Sequence, residues 1–167
     1  MNITAAIALL LSTAMILYGS SCAPAAGPDS LDKLGTVDMT IKNARFRLWI
    51  ADDFSEQQNG LMFVSAERMA ALPDGTRRGM LFVFDSEHPL SFWMHNTIIP
   101  LDIAYLDSSG KVVATHTMAA LDDRPNQYPS GKPARFAIEV NAGTFADLGL
   151  KKDEVISLPD SILKRRP

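Results

Sequence analysis

The chain has 167 residues, with 16 basic and 19 acidic side chains and a formal net charge of −3. An acidic balance and a pI near 5.5 argue against a nucleic-acid partner, which calls for a basic surplus on one face. A single cysteine excludes a disulfide framework and any cysteine-based zinc cluster.

The first 25 residues carry no Asp, Glu, Lys or Arg. Within them Ile3 to Leu17 is an uncharged run of 15, short for a membrane span but suited to the apolar region of a signal peptide. Ala23-Pro24-Ala25 offers small residues for cleavage. Alternatively, Gly19-Ser20-Ser21-Cys22 resembles a bacterial lipobox, with Cys22 acylated and anchoring the mature chain to a membrane. Either route predicts an exported protein, periplasmic or lipid-anchored. It also accounts for the lone cysteine, which is discarded or lipidated. Residues 1–25 are read as the signal and 26–36 as a linker. Residues 37–160 are read as one domain of a size that buries a core, and 161–167 as a basic tail.

From Val37 the pattern turns to period 2. Val37, Met39 and Ile41 alternate with polar residues, as do Phe46, Leu48 and Ile50, so a hairpin is expected. Asp52, Asp53 and Ser55 offer caps for a short helix through Glu56-Gln57-Gln58 that ends near Gly60. Met80 to Phe84 reads as a buried strand, and His88-Pro89 as a break before a strand from Leu90 to Met94. Leu101 to Leu106 and Lys111 to Met118 form a second hairpin around Asp107-Ser108-Ser109-Gly110. Ala119 to Pro133 reads as a long polar loop and Phe136 to Val140 as a strand. Thr144 to Gly149 reads as a helical turn and Val155 to Leu158 as a closing strand. Short strands at this spacing predict a mainly β, small barrel or sandwich-like domain with one or two short helices.

Three strings, Gly60-Leu61-Met62-Phe63, Gly79 to Phe84 and Phe92 to Ile103, together with Tyr128, Ser130, Pro133-Ala134 and Glu139 to Gly143, resemble the bacterial and archaeal domain of unknown function 192 family. The resemblance spans about Phe46 to Leu158. It departs from the family at His95, where a basic residue usually follows Trp-Met, and at Val64, where Arg is frequent. The segment Ser65 to Arg78 is also longer than usual. The resemblance implies a small, mainly β domain, often exported, with no established activity.

Trp93, Asn96 and Asp102 interrupt an apolar stretch. Turn chemistry accounts for Asn, Thr, Pro and Asp there, with Asp102 accepting backbone N–H bonds. The functional alternative is a pocket in which the indole stacks on a ligand and the polar groups fix its edge. With Glu139, which alternation turns to solvent or toward Arg135 or Arg68, these are the candidate ligand-binding residues. No nucleophile elbow, phosphate loop or dinucleotide motif is present, so no catalytic residue and no cofactor is assigned. The leading expectation is a non-enzymatic binding or accessory domain that meets an envelope ligand or protein. One alternative is an envelope-polymer hydrolase using Asp102 and Glu139 as paired carboxylates. Another is a copper-binding periplasmic protein using Met94, His116 and Met118, since thioether and imidazole suit Cu(I) and the last two share a strand face.

Overall fold

The computed structural model describes residues 28–125 and 127–165, so the leader and Cys22 lie outside the described residues. The elements are a 3-10 helix at Pro28–Lys33, β1 (Thr36–Ile41), β2 (Ala44–Ala51), α1 (Phe54–Asn59), β3 (Arg77–Phe92), β4 (Leu101–Leu106), β5 (Val112–Met118), β6 (Tyr128–Asn141), α2 (Thr144–Asp147) and α3 (Asp160–Leu163). The strands form one six-stranded sheet in the order β1-β2-β3-β6-β4-β5. The protein is mainly β and sandwich-like, and the sheet does not close.

β2 and β3 run parallel, and every other neighbouring pair is antiparallel. A parallel pair needs a long crossover. The segment between Ala51 and Arg77 supplies it and carries α1 across one face of the sheet. The expected hairpins are present. Lys42, at φ 57°, turns the first. In the second, the Asp107 carboxylate accepts from the N–H groups of Ser109 and Lys111 at 2.9 and 3.0 Å.

The expected break at His88-Pro89 does not end a strand. β3 continues to Phe92 with register shifts around His88 and Pro89. β6 likewise begins at Tyr128 rather than near Phe136, which shortens the expected loop. Pro89 faces Pro133 where the pairing is irregular, a place where a missing N–H costs no ladder bond. The expected closing strand reduces to a single bridge, Lys111 to Val155. The segment read as a linker holds the 3-10 helix, and its Leu31 is buried in the core.

Both faces of the sheet are buried at its centre. Met80, Phe82, Ile103, Tyr105 and Ala137 pack on one face with Leu61, Val64, Met69 and Met94. Leu81, Val83, Ala104, Phe136 and Ile138 pack on the other with Phe145, Ile156, Leu158 and Ile162. This explains the continuous apolar run from Met80 to Phe84, because successive strand residues point to opposite faces and here neither face is wet.

Candidate functional site

The site is built at the end of the sheet face covered by α1. Asp53 caps that helix by accepting from Glu56 N at 2.8 Å, and the Glu56 carboxylate accepts from Asp53 N at 3.3 Å. The helix is tied to β3 by Gln57 Nε2, which donates to Val83 O at 2.8 Å. Gly60 ends it at φ 46°, where an added Cβ would stand 3.3 Å from the Phe82 ring. The chain then turns through Leu61 and Met62 to Phe63. Phe63 N donates to Asn96 O at 2.8 Å, and Leu121 N donates to Thr97 O at 2.9 Å. Phe63, Asn96 and Leu121 all have left-handed backbones, with φ of 60°, 55° and 58°. Left-handed Phe and Leu are uncommon, and strain of this kind gathers where a local shape is held by its surroundings.

Between α1 and the Phe92–Thr97 segment lies an open cleft of about 250 Å³, lined by Phe54, Gln57, Gln58, Phe84, Phe92 and Trp93. It adjoins a small chamber of about 30 Å³ that Gln57, Gln58, Met62, Trp93, Thr97 and Glu139 help to line. Trp93 is 46% exposed and stacks on His95, with ring centroids 4.8 Å apart. Phe54, Phe63, Ile98 and Leu121 are also exposed. The only charged side chain in either lining is Glu139.

Glu139 is 4% exposed, and no described group hydrogen-bonds its carboxyl. Burial alone pushes its pKa up to about 8, because a charge removed from water without a partner is disfavoured. Its neighbours across the sheet are Met80 on β3 and Ile103 on β4. Its backbone is fixed by a close approach, since a Cβ on Gly79 would meet Glu139 O at 2.3 Å. The expectation that alternation turns Glu139 outward or toward a cation is corrected here. Arg68 pairs with Asp32, and Arg135 is used on the carbonyls of Phe84, Leu163 and Arg165.

Asp102 lies elsewhere. It is paired with Val140 across β4 and β6, while Ile103 is paired with Glu139. Asp102 and Glu139 therefore face opposite sides of the sheet. Asp102 is 2% exposed and accepts from Thr117 Oγ1 at 2.7 Å and Phe145 N at 2.9 Å, which ties β5 and α2 to β4. The register overturns the alternative in which these two carboxylates pair for hydrolysis. Asn96 is in neither lining, and its carbonyl accepts from Phe63 N at 2.8 Å.

His116 and Met118 share a sheet face, as their spacing predicts. Met94 and Met118 are fully buried in the core, and His116 Nε2 lies 2.8 Å from Pro129 O. Among the described residues no group of three His, Cys, Asp or Glu side chains gathers to hold a metal.

Sequence reasoning missed Phe54, Gln57 and Gln58, whose only visible signal was a capped short helix. It also missed the bonds beside the site. Tyr128 Oη donates to Asp122 at 2.7 Å and accepts from Ala119 N at 3.0 Å. The Arg124 guanidinium and the Tyr128 hydroxyl hold the Asp122 carboxyl well below the usual range. Asp122 O in turn accepts from Met94 N at 2.8 Å, which anchors the strand end that presents Trp93.

A family model described as domain of unknown function 192, Uncharacterized ACR, matches residues 37–158. Among solved structures, the chain is similar to a candidate transcription regulator from Sinorhizobium meliloti 1021. That match has 29% identity and a TM-score of 0.59 over 73% of this chain and 90% of the other. It is equally similar to a protein of unknown function from Novosphingobium aromaticivorans DSM 12444, with 29% identity and a TM-score of 0.59 over 75% and 85%. No curated protein matches.

Proposed function

The chain belongs to the domain of unknown function 192 family, and we propose that it is a non-enzymatic ligand-binding domain of the cell envelope whose site is the cleft between α1 and Phe92–Thr97. The observation that carries this reading is Glu139, a buried carboxyl without a described partner, in the small chamber that adjoins the aromatic-lined cleft. A polar group buried without a hydrogen bond costs free energy in folding, so an unpartnered carboxyl that lines a chamber is suited to a bound group that supplies the partner. Three separated strings meet there: Gly60-Leu61-Met62, Phe92-Trp93 and the Glu139 strand. Exposed Trp93 and Phe54 give a ligand an apolar surface to stack on, and Gln57 and Gln58 offer neutral polar contacts.

A hydrolytic reading lacks support, because a second carboxylate does not converge on Glu139. The envelope setting rests on the uncharged leader, with Cys22 as the lipid attachment point if the lipobox is used. Native mass spectrometry of the protein purified from its own host tests the binding reading. A co-purifying mass that is lost in Trp93→Ala supports it. A ligand retained equally by Trp93→Ala and Phe54→Ala places binding elsewhere and refutes it.

A further inference from the structure

We infer that the chamber receives a primary ammonium group carried on an apolar stem, with the Glu139 carboxylate as its counter-ion and the rings of Phe92 and Trp93 beside the stem. This rests on the cleft being the ligand site and names the chemical class of its ligand.

The argument starts from what the lining offers. Among the described residues neither the cleft nor the chamber has a Lys or Arg in its lining, so an anionic ligand would meet no compensating charge and one carboxyl of its own sign. The aromatic rings favour a cation, because the negative face of a π-system attracts positive charge. Gln58 offers both a donor and an acceptor, but the groups whose free atoms are acceptors only are the ones that discriminate. Gln57 spends its Nε2 on Val83 O, which leaves its amide oxygen as an acceptor without a described donor. Glu139 adds two more acceptor oxygens. An ammonium has three donors and no acceptor, which matches this set. The chamber, about 30 Å³, holds a group of one or two heavy atoms, so the remainder of the ligand lies along Trp93 and Phe54 in the outer cleft.

The charged and titratable surroundings are few. From β4, the Tyr105 hydroxyl is held from ionising by its own burial and by the nearby Glu139. In the cross-sheet row Met80–Glu139–Ile103–His116, His116 stands two strands away. His95 stacks on the outer side of the cleft against Trp93, and Arg78 on β3 lies over Trp49. α1 contributes only amides to the chamber. Among the described residues no cation satisfies Glu139, which leaves that role to a ligand. Since burial keeps Glu139 protonated up to about pH 8, an incoming ammonium displaces that proton to solvent. Affinity then rises about tenfold from pH 7 to pH 9 and levels off above.

The test uses n-butylammonium chloride and its neutral counterpart n-butanol, with the protein labelled at its methionine methyl groups. Met62 lines the chamber and reports on occupancy by NMR. Butylammonium is expected to shift the Met62 signal with about tenfold higher affinity at pH 9 than at pH 7, while butanol shows no such rise. Glu139→Gln should abolish the rise and weaken butylammonium at pH 9 by tenfold or more. If that variant does not fold, the wild-type comparison of the two probes across pH decides alone. Equal, pH-independent shifts by both probes overturn the ammonium assignment and leave the cleft as the binding site. A Met62 signal unmoved by butylammonium at either pH also overturns the assignment, and the native-ligand measurement on Trp93→Ala then judges the cleft separately.

Discussion

Asp102 and Glu139 stand on hydrogen-bonded neighbouring strands, one register step apart, and point to opposite faces of the same sheet. The first is satisfied by Thr117 and Phe145, and the second by no described group. Two buried carboxyls thus have separate roles. Asp102 holds elements together, and Glu139 lines the chamber where we place the ligand.

The Asp102 role predicts a stability loss without a binding loss. Asp102→Ala leaves the buried Phe145 N–H unpaired and should cost about 2–3 kcal/mol in urea unfolding. Ligand retention by the cleft should be unchanged. A fully stable Asp102→Ala that no longer retains ligand would assign Asp102 to the site instead.

Glu139 predicts a pH dependence of stability with a definite sign. Its folded pKa is about 8, raised from 4.5. Between those values the folded state binds a proton that the unfolded state has lost. Stability is therefore full below about pH 4.5 and falls as pH rises to about 8, at about 1.4 kcal/mol per pH unit from this one group. Glu139→Gln should remove that slope. Wild type and variant unfolding in parallel from pH 5 to pH 8 would contradict the buried, unpaired state.

The two tryptophans should separate cleanly. Trp49 is 6% exposed and packs in the core with Arg78 above its ring, so Trp49→Ala should cost about 3–5 kcal/mol. Trp93 is half-exposed, and Trp93→Ala should cost about 1 kcal/mol or less while lowering ligand retention. Thermal or urea unfolding of both variants checks this. A loss at Trp93 as large as at Trp49 would make its ring a core group rather than a binding surface.

Much of this was readable from the chain, and the rest failed for physical reasons. Period 2 from Val37 to Ile50 gave β1 and β2, and Asp53 before Glu56 gave α1, because in each case one face is wet or one end is capped locally. Pro89 and Pro133 misled, since prolines normally end strands but here sit at irregular pairs within β3 and β6. Glu139 was identified as a site candidate but placed facing outward, because alternation carries no inside-outside information when both faces of a sheet are covered. Trp93 was legible as a candidate. Phe54, Gln57 and Gln58 were not, because the parallel crossover that carries α1 over the sheet leaves no local mark.

The leader predicts export. Residues 1–36 fused to a reporter active only outside the cytoplasm should give signal, and palmitate labelling lost in Cys22→Ala would identify the lipidated form. A reporter confined to the cytoplasm would contradict the envelope setting.

Crystals of the full chain soaked in a fragment mixture of small amines, polyols and carboxylic acids test the central claim most directly. The account predicts electron density between α1 and Trp93, with a polar atom of the fragment within hydrogen-bond distance of the Glu139 carboxyl. Fragments gathered in the groove beside Lys42, Glu154 and Val155, with the Trp93 cleft empty, would contradict it.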